Sequence, residues 1–94
     1  MILNLDKILV GLDGQDILDA TGNPIMLNKA LANSLMNSTK GDAVKYYDWA
    51  VRLYKTGTLD LDRSDWDHLK EFIKGLDQVA NIYKAQLLEN FILT

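Results

Sequence analysis

Ninety-four residues with 48% hydrophobic content, interspersed charges of both signs and one proline describe a single globular domain and exclude a disordered chain. A net charge of −3 argues against nonspecific nucleic-acid binding, which needs Lys and Arg to neutralise phosphates. The absence of cysteine removes disulfides and thiolate metal sites, and Asp6 and Lys7 interrupt the apolar start, so neither a signal peptide nor a membrane anchor is read and cytoplasmic residence is expected.

Residues 2–27 read as strands and turns. Ile2, Leu3 and Leu5, then Ile8, Leu9, Val10 and Leu12, lead to Asp13-Gly14, a type I′ hairpin dipeptide, with Ile17 and Leu18 as the return strand. Thr21-Gly22-Asn23-Pro24 makes a second turn before a third short strand at Ile25, Met26 and Leu27. The expectation is a small antiparallel hairpin or meander, an arm that lies on the helices or pairs with a neighbouring chain. Asp13, Asp16 and Asp19 fit solvated turn and strand carboxylates, because no oxygen-ligand loop pattern surrounds them.

Four helices follow, over 28–37, 42–56, 63–74 and 78–91, which makes residues 28–94 the helical part of one α+β domain. In the first, Asn28 is the N-cap, with a start at Pro24 as the alternative; Leu27, Leu31 and Leu35, flanked by Ala30, Ala32 and Met36, form its apolar face. The second is the central helix. It carries one ridge of Val44, Tyr47, Val51 and Tyr54, a second of Tyr46, Ala50 and Leu53, and Trp49 beside its narrow polar strip. A helix this apolar needs cover from two directions, expected from the first and last helices. Asp42, or Thr39 with Asp42, caps it and Gly57 closes it in the left-handed conformation. Thr58 to Leu61 form a brief extended link able to add a β-bridge to the N-terminal sheet. The third helix has Asp62 as N-cap, Asp65 as a capping-box acid and Leu61 with Trp66 as a hydrophobic staple; Gly75 ends it. Asp77 caps the last, in which Val79, Ile82, Tyr83 and Leu87 face one way and Leu88 and Ile92 the other.

No catalytic set, cofactor motif or metal-ligand set emerges. Asp60, Asp62, Ser64 and Glu71 match four positions of a calcium loop, but Asp65 stands where that loop needs glycine, and a capped helix start explains the same residues. His68 is the single histidine, and Ser34, Ser38 and Ser64 have no base at interpretable spacing. Tyr46, Tyr47 and Trp49 offer a stacking platform, against which helix core is the simpler account; Trp49, beside the polar strip, suits an interface rim.

The segments LDKILVGLDGQDI, DATGNPIML, NKALANSLMNS, KGDAVKYYDWAVRLYKTGTLDLDRSDWDHLKEFI and YKAQLLENF resemble a group of small uncharacterised proteins of bacteriophages and prophages. The resemblance implies a phage context and a role near virion assembly, and carries no functional residue with it. The expected function is that of a noncatalytic interaction protein, an assembly or accessory factor in the host cytoplasm or the virion. It would bind itself, first as a dimer and second as a ring, and another phage protein, through Tyr46, Trp49, Leu53, Leu88 and Ile92. A small nucleic-acid regulator, and a small enzyme or ligand-binding domain, are the alternatives.

Overall fold

The computed structural model describes residues 1–77 and 79–91. The order of elements is β1 (Ile2–Asn4), α1 (Leu27–Asn37), α2 (Ala43–Thr56), β2 (Thr58–Asp60), α3 (Arg63–Lys74) and α4 (Asn81–Glu89), an α+β architecture. The β element is tied down within the chain. β1 pairs antiparallel with β2, with Leu3 opposite Leu59, and the two leucines point into the core while Ile2 and Asp60 face water. The Leu5 N–H continues the contact by donating to the Gly57 carbonyl at 2.7 Å, and the N-terminal amine donates to the Leu61 carbonyl at 2.7 Å. The expected bridge from the 58–61 link is therefore present, and it anchors the chain start between α2 and α3.

Residues 7–26 turn at both expected places, but they pair only as isolated antiparallel bridges, Val10 with Asp16, Leu18 with Pro24 and Ile8 with Met26, and not as continuous strands. They close into a three-sided cap, in which Leu9 donates its N–H to Ile25, Ile25 to Ile17 and Ile17 back to Leu9, at 2.8, 2.9 and 2.9 Å. The donors are eight residues apart, and so are the turns. Gly14 and Gly22 both have positive φ, 80° and 86°, and each ends a three-residue loop closed by Gly11 N–H to Gln15 C=O and by Asp19 N–H to Asn23 C=O. Asp13 keeps a negative φ, so the turn is not type I′; only its glycine is left-handed, as in a type I turn with a following bulge. Gln86 of α4 fixes the cap by bonding both backbone groups of Val10, at 2.7 and 3.0 Å.

The cap also changes how α1 begins. Its first N–H groups are taken by backbone carbonyls, Leu27 donating to Lys7 and Asn28 to Leu5, so no side-chain cap is needed. Asn28, expected at the N-cap, is instead buried inside the helix, where its Nδ2 donates to the Leu53 carbonyl at 2.8 Å. The expected caps of the next two helices are in place. Asp42 accepts from Val44 and Lys45, and Asp62 accepts from Asp65. Gly57 ends α2 at φ 77°, with its α-hydrogen side against Asp6, so that a Cβ there would come within 2.7 Å of the Asp6 Cβ. α4 begins at Asn81 with Ala80 at the N-cap, after Asp77 and after Gln78, which lies outside the described residues.

Leu3, Leu5, Leu31, Leu35, Leu53, Leu59, Leu69, Ile73 and Leu87 are the fully buried centre, drawn from the β pair and all four helices. α1 packs along α2, α4 packs on α3 and α1, and β2 lies against α2. The second cover of α2 therefore comes from the side chains of α3 and from β2, and not from the last helix as expected.

Candidate protein interface

α1 and α2 lie against each other as a helical hairpin, with the small Ala32 and Ala50 on their facing sides and both buried. Close approach at such residues leaves the larger side chains on either flank to form the walls of a groove. The groove has a volume of about 230 Å³ and is lined by Ala32, Asn33, Met36, Tyr47, Ala50, Val51, Tyr54 and Lys55. Its walls are open to solvent, Tyr47 being 62% exposed, Tyr54 55% and Met36 44%, and Val44, on the same ridge but outside the groove, is 81% exposed. Val51 is half-buried at the floor. Lys29 of α1 holds its ammonium 5.2 Å from the Tyr54 ring centroid, a cation–π contact at one end of the groove.

The opposite ridge of α2 is consumed by the fold. Tyr46 stacks on Trp49 with ring centroids 5.7 Å apart and meets Phe72 and His68 of α3 edge-on. The Tyr46 hydroxyl and His68 Nε2 share a hydrogen bond of 2.8 Å. His68 also lies edge-on to Trp49, which explains the single histidine as a lid on the aromatic pair and not as a base beside a nucleophile. Lys45 pairs with Asp65 at 2.9 Å and lies 5.7 Å from the Trp49 ring centroid. The Asp65 carboxylate raises the pKa of that ammonium. Asp65 is thus spent on α2, and of the expected capping box only its N–H, bonded to Asp62, remains.

These positions correct the expected interface. Trp49 is 4% exposed, and Tyr46 and Leu53 are as deeply buried, so none of the three offers surface to a partner. Leu88 is half-buried against the core. Ile92 lies outside the described residues. Two equally apolar ridges stood on either side of α2 in the sequence; the ridge assigned to the interface is the core, and the ridge of Val44, Tyr47, Val51 and Tyr54 is the surface. The small-residue pair Ala32 and Ala50 marks the seam between helices, and it is the signal that separates the two.

The cap is the second surface of note. Leu12 is fully exposed and Leu18 half-exposed, set among the exposed Asp13, Asp16 and Asp19. Asp19 accepts from the Thr21 hydroxyl and from the Thr21 and Asn23 N–H groups, which holds its carboxyl below the usual carboxylate range. Two of these aspartates serve the turns: Asp13 accepts from the Gln15 N–H, as Asp19 does from Thr21, six residues on.

A wider cleft of about 730 Å³ runs between the 38–41 connection, the end of α3, residues 75–77 and Val79. Both of its serine hydroxyls are engaged by backbone, Ser34 donating to Ala30 and Ser38 to Lys40, at 3.1 Å each. Among the described residues no three His, Cys, Asp or Glu side chains are grouped to hold a metal ion, and no helix is long and apolar enough to cross a membrane. Comparison with protein-family models, with curated proteins and with solved structures gives no match.

Proposed function

We propose that this chain is a noncatalytic interaction protein, of phage or prophage type, that binds protein through the α1–α2 groove. The observation that carries the reading is the ridge of Val44, Tyr47, Val51 and Tyr54 with Met36, left at the surface by a helix that has already filled its share of the core. Contiguous apolar surface of this kind marks a contact site, since leaving it in water favours association over solution. Tyrosines at the groove walls suit such a site, giving large contact area for few rotatable bonds. A role in virion assembly, or as an accessory factor in the infected cell, rests on the resemblance to small phage proteins.

The test is affinity capture from phage-infected cells with the wild type and with Val51→Lys, whose longer side chain fills the groove and places a charge at its mouth. A phage protein captured by the wild type and lost with the variant supports the reading. Equal capture by both would move the binding surface away from the groove.

A further inference from the structure

Resting on the groove as a protein-binding surface, we infer that its occupant is the N-terminal cap of a second copy of this chain, docked head to tail. The two surfaces match in chemistry. The cap offers Leu12 and Leu18 as apolar knobs among three aspartates, and no Lys or Arg occurs between residues 8 and 28. The α1–α2 hairpin, residues 27–56, carries Lys29, Lys40, Lys45, Arg52 and Lys55 against only Asp42 and Asp48. Lys55 lines the groove and Lys29 stands at its Tyr54 wall. Among the described residues neither lysine has a carboxylate partner, and no cap aspartate has a cation.

Charge also decides between arrangements. Two copies joined groove to groove would set Lys29 and Lys55 against their own kind, whereas groove to cap sets them against Asp13, Asp16 and Asp19. The cap is built to be a rigid insert, because its three segments are closed by mutual backbone bonds and held to α4 by Gln86. Little conformational freedom is then lost on docking. No cap residue lines the groove of its own chain. A contact between two different patches is heterologous, so it propagates, giving a ring if the rotation closes and a filament if it does not.

Sedimentation velocity at about 100 μM protein and low salt, on wild type, Leu12→Lys, Val51→Lys and an equimolar mixture of the two variants, tests the arrangement. The wild type should form species larger than a dimer that grow with concentration and shrink between about 50 and 500 mM salt. Each variant alone should associate about 30-fold more weakly or less, the factor that accompanies loss of a hot spot. The mixture should give a one-to-one heterodimer, since Leu12→Lys retains a groove and Val51→Lys retains a cap. Should Val51→Lys melt early, Tyr47→Lys replaces it, as that side chain already lies in water.

Assembly of Leu12→Lys at wild-type strength, or a mixture that stays monomeric, overturns the head-to-tail contact. A monomeric wild type overturns it too. If groove-dependent capture of a phage protein persists in that case, the groove remains a binding surface with a different occupant; if capture also fails, both readings fall.

Discussion

Helix α2 carries two ridges of nearly the same apolar content, and the fold treats them in opposite ways. Tyr46, Ala50 and Leu53, with Trp49, are sealed under α1 and α3, whereas Val44, Tyr47 and Tyr54 stand in solvent. Side-chain character alone does not explain the difference, since each ridge has tyrosine and aliphatic members. What separates them is the partner surface: Ala32 on α1 brings the helices together at Ala50, and His68 and Phe72 on α3 close over Tyr46 and Trp49. Periodicity along one helix reveals that a face is apolar, but which face is covered depends on the shapes offered by other segments.

The largest expected effect comes from placing the same residue on each ridge. Leu53→Lys puts an ammonium where the side chain is wholly buried, a cost of several kcal/mol against a total stability of about 5–15, and should abolish cooperative thermal unfolding. Val51→Lys, two residues earlier, can lay its methylenes along the groove and keep its charge in water, and should change stability by less than about 1 kcal/mol. Melting curves followed by circular dichroism decide this. Comparable losses in the two variants would mean that the groove is part of the core.

Gly41 sharpens the contrast, because it abuts the buried ridge. It has φ 91°, and a Cβ added there would lie 2.7 Å from the Tyr46 ring. Gly41→Ala should cost about 2–4 kcal/mol, combining left-handed strain with displacement of an aromatic ring that is stacked on Trp49 and bonded to His68. Gly14→Ala shares the positive φ but meets no atom within 4 Å, and should cost only about 1–2 kcal/mol. Urea unfolding of both variants separates packing from backbone strain.

Local chemistry made the helical part of the fold readable. Asp62 and Gly75 bracket α3 at the expected residues, and Asp42 and Gly57 bracket α2, because those signals act within four residues of the chain. The start of α1 was misplaced because its N–H groups are satisfied by Lys7 and Leu5, twenty or more residues away, which no local pattern records. The cap carries a legible trace in the chain: LVGLDGQD, ILDATGNP and the following Ile-Met repeat with a period of eight at Leu9, Ile17 and Ile25, whose backbone bonds close the three sides, and at Gly14 and Gly22, which make the turns, while the turn aspartates Asp13 and Asp19 fall outside that register. Which ridge of α2 reaches solvent is not legible in the chain, since Trp49 beside Lys45 looks like a rim until Asp65 is brought to it from α3.

A smaller effect follows at that α3 contact. Asp62→Ala should lower stability by about 1 kcal/mol through loss of the bond to the Asp65 N–H, and adding calcium to the wild type should leave its melting temperature unchanged. A calcium-dependent rise of several degrees would restore the loop reading of Asp60 to Glu71.

The smallest effect is hidden at neutral pH. Tyr83 is buried, and among the described residues its hydroxyl makes no well-formed hydrogen bond; the neighbouring Ser34 hydroxyl lies close but donates to the Ala30 carbonyl. Burial pushes the phenol up to about 12, the Ser34 hydroxyl offsetting part of the shift. In the unfolded chain a tyrosine ionises near pH 10. Below that value both states hold the proton and Tyr83 adds no pH dependence. Between about 10 and 12 the unfolded state ionises while the folded state does not, so stability falls as pH rises through this window, by roughly 1–2 kcal/mol. Tyr83→Phe removes both the unpaired oxygen and the titration. At pH 7 it should be neutral or stabilising by up to about 1 kcal/mol, and at pH 11 its advantage over wild type should be larger. Urea unfolding at the two pH values gives the comparison. A loss of about 1 kcal/mol at pH 7 would instead place a hydrogen bond on that hydroxyl, and Ser34→Ala would then lose its own effect in the Tyr83→Phe background.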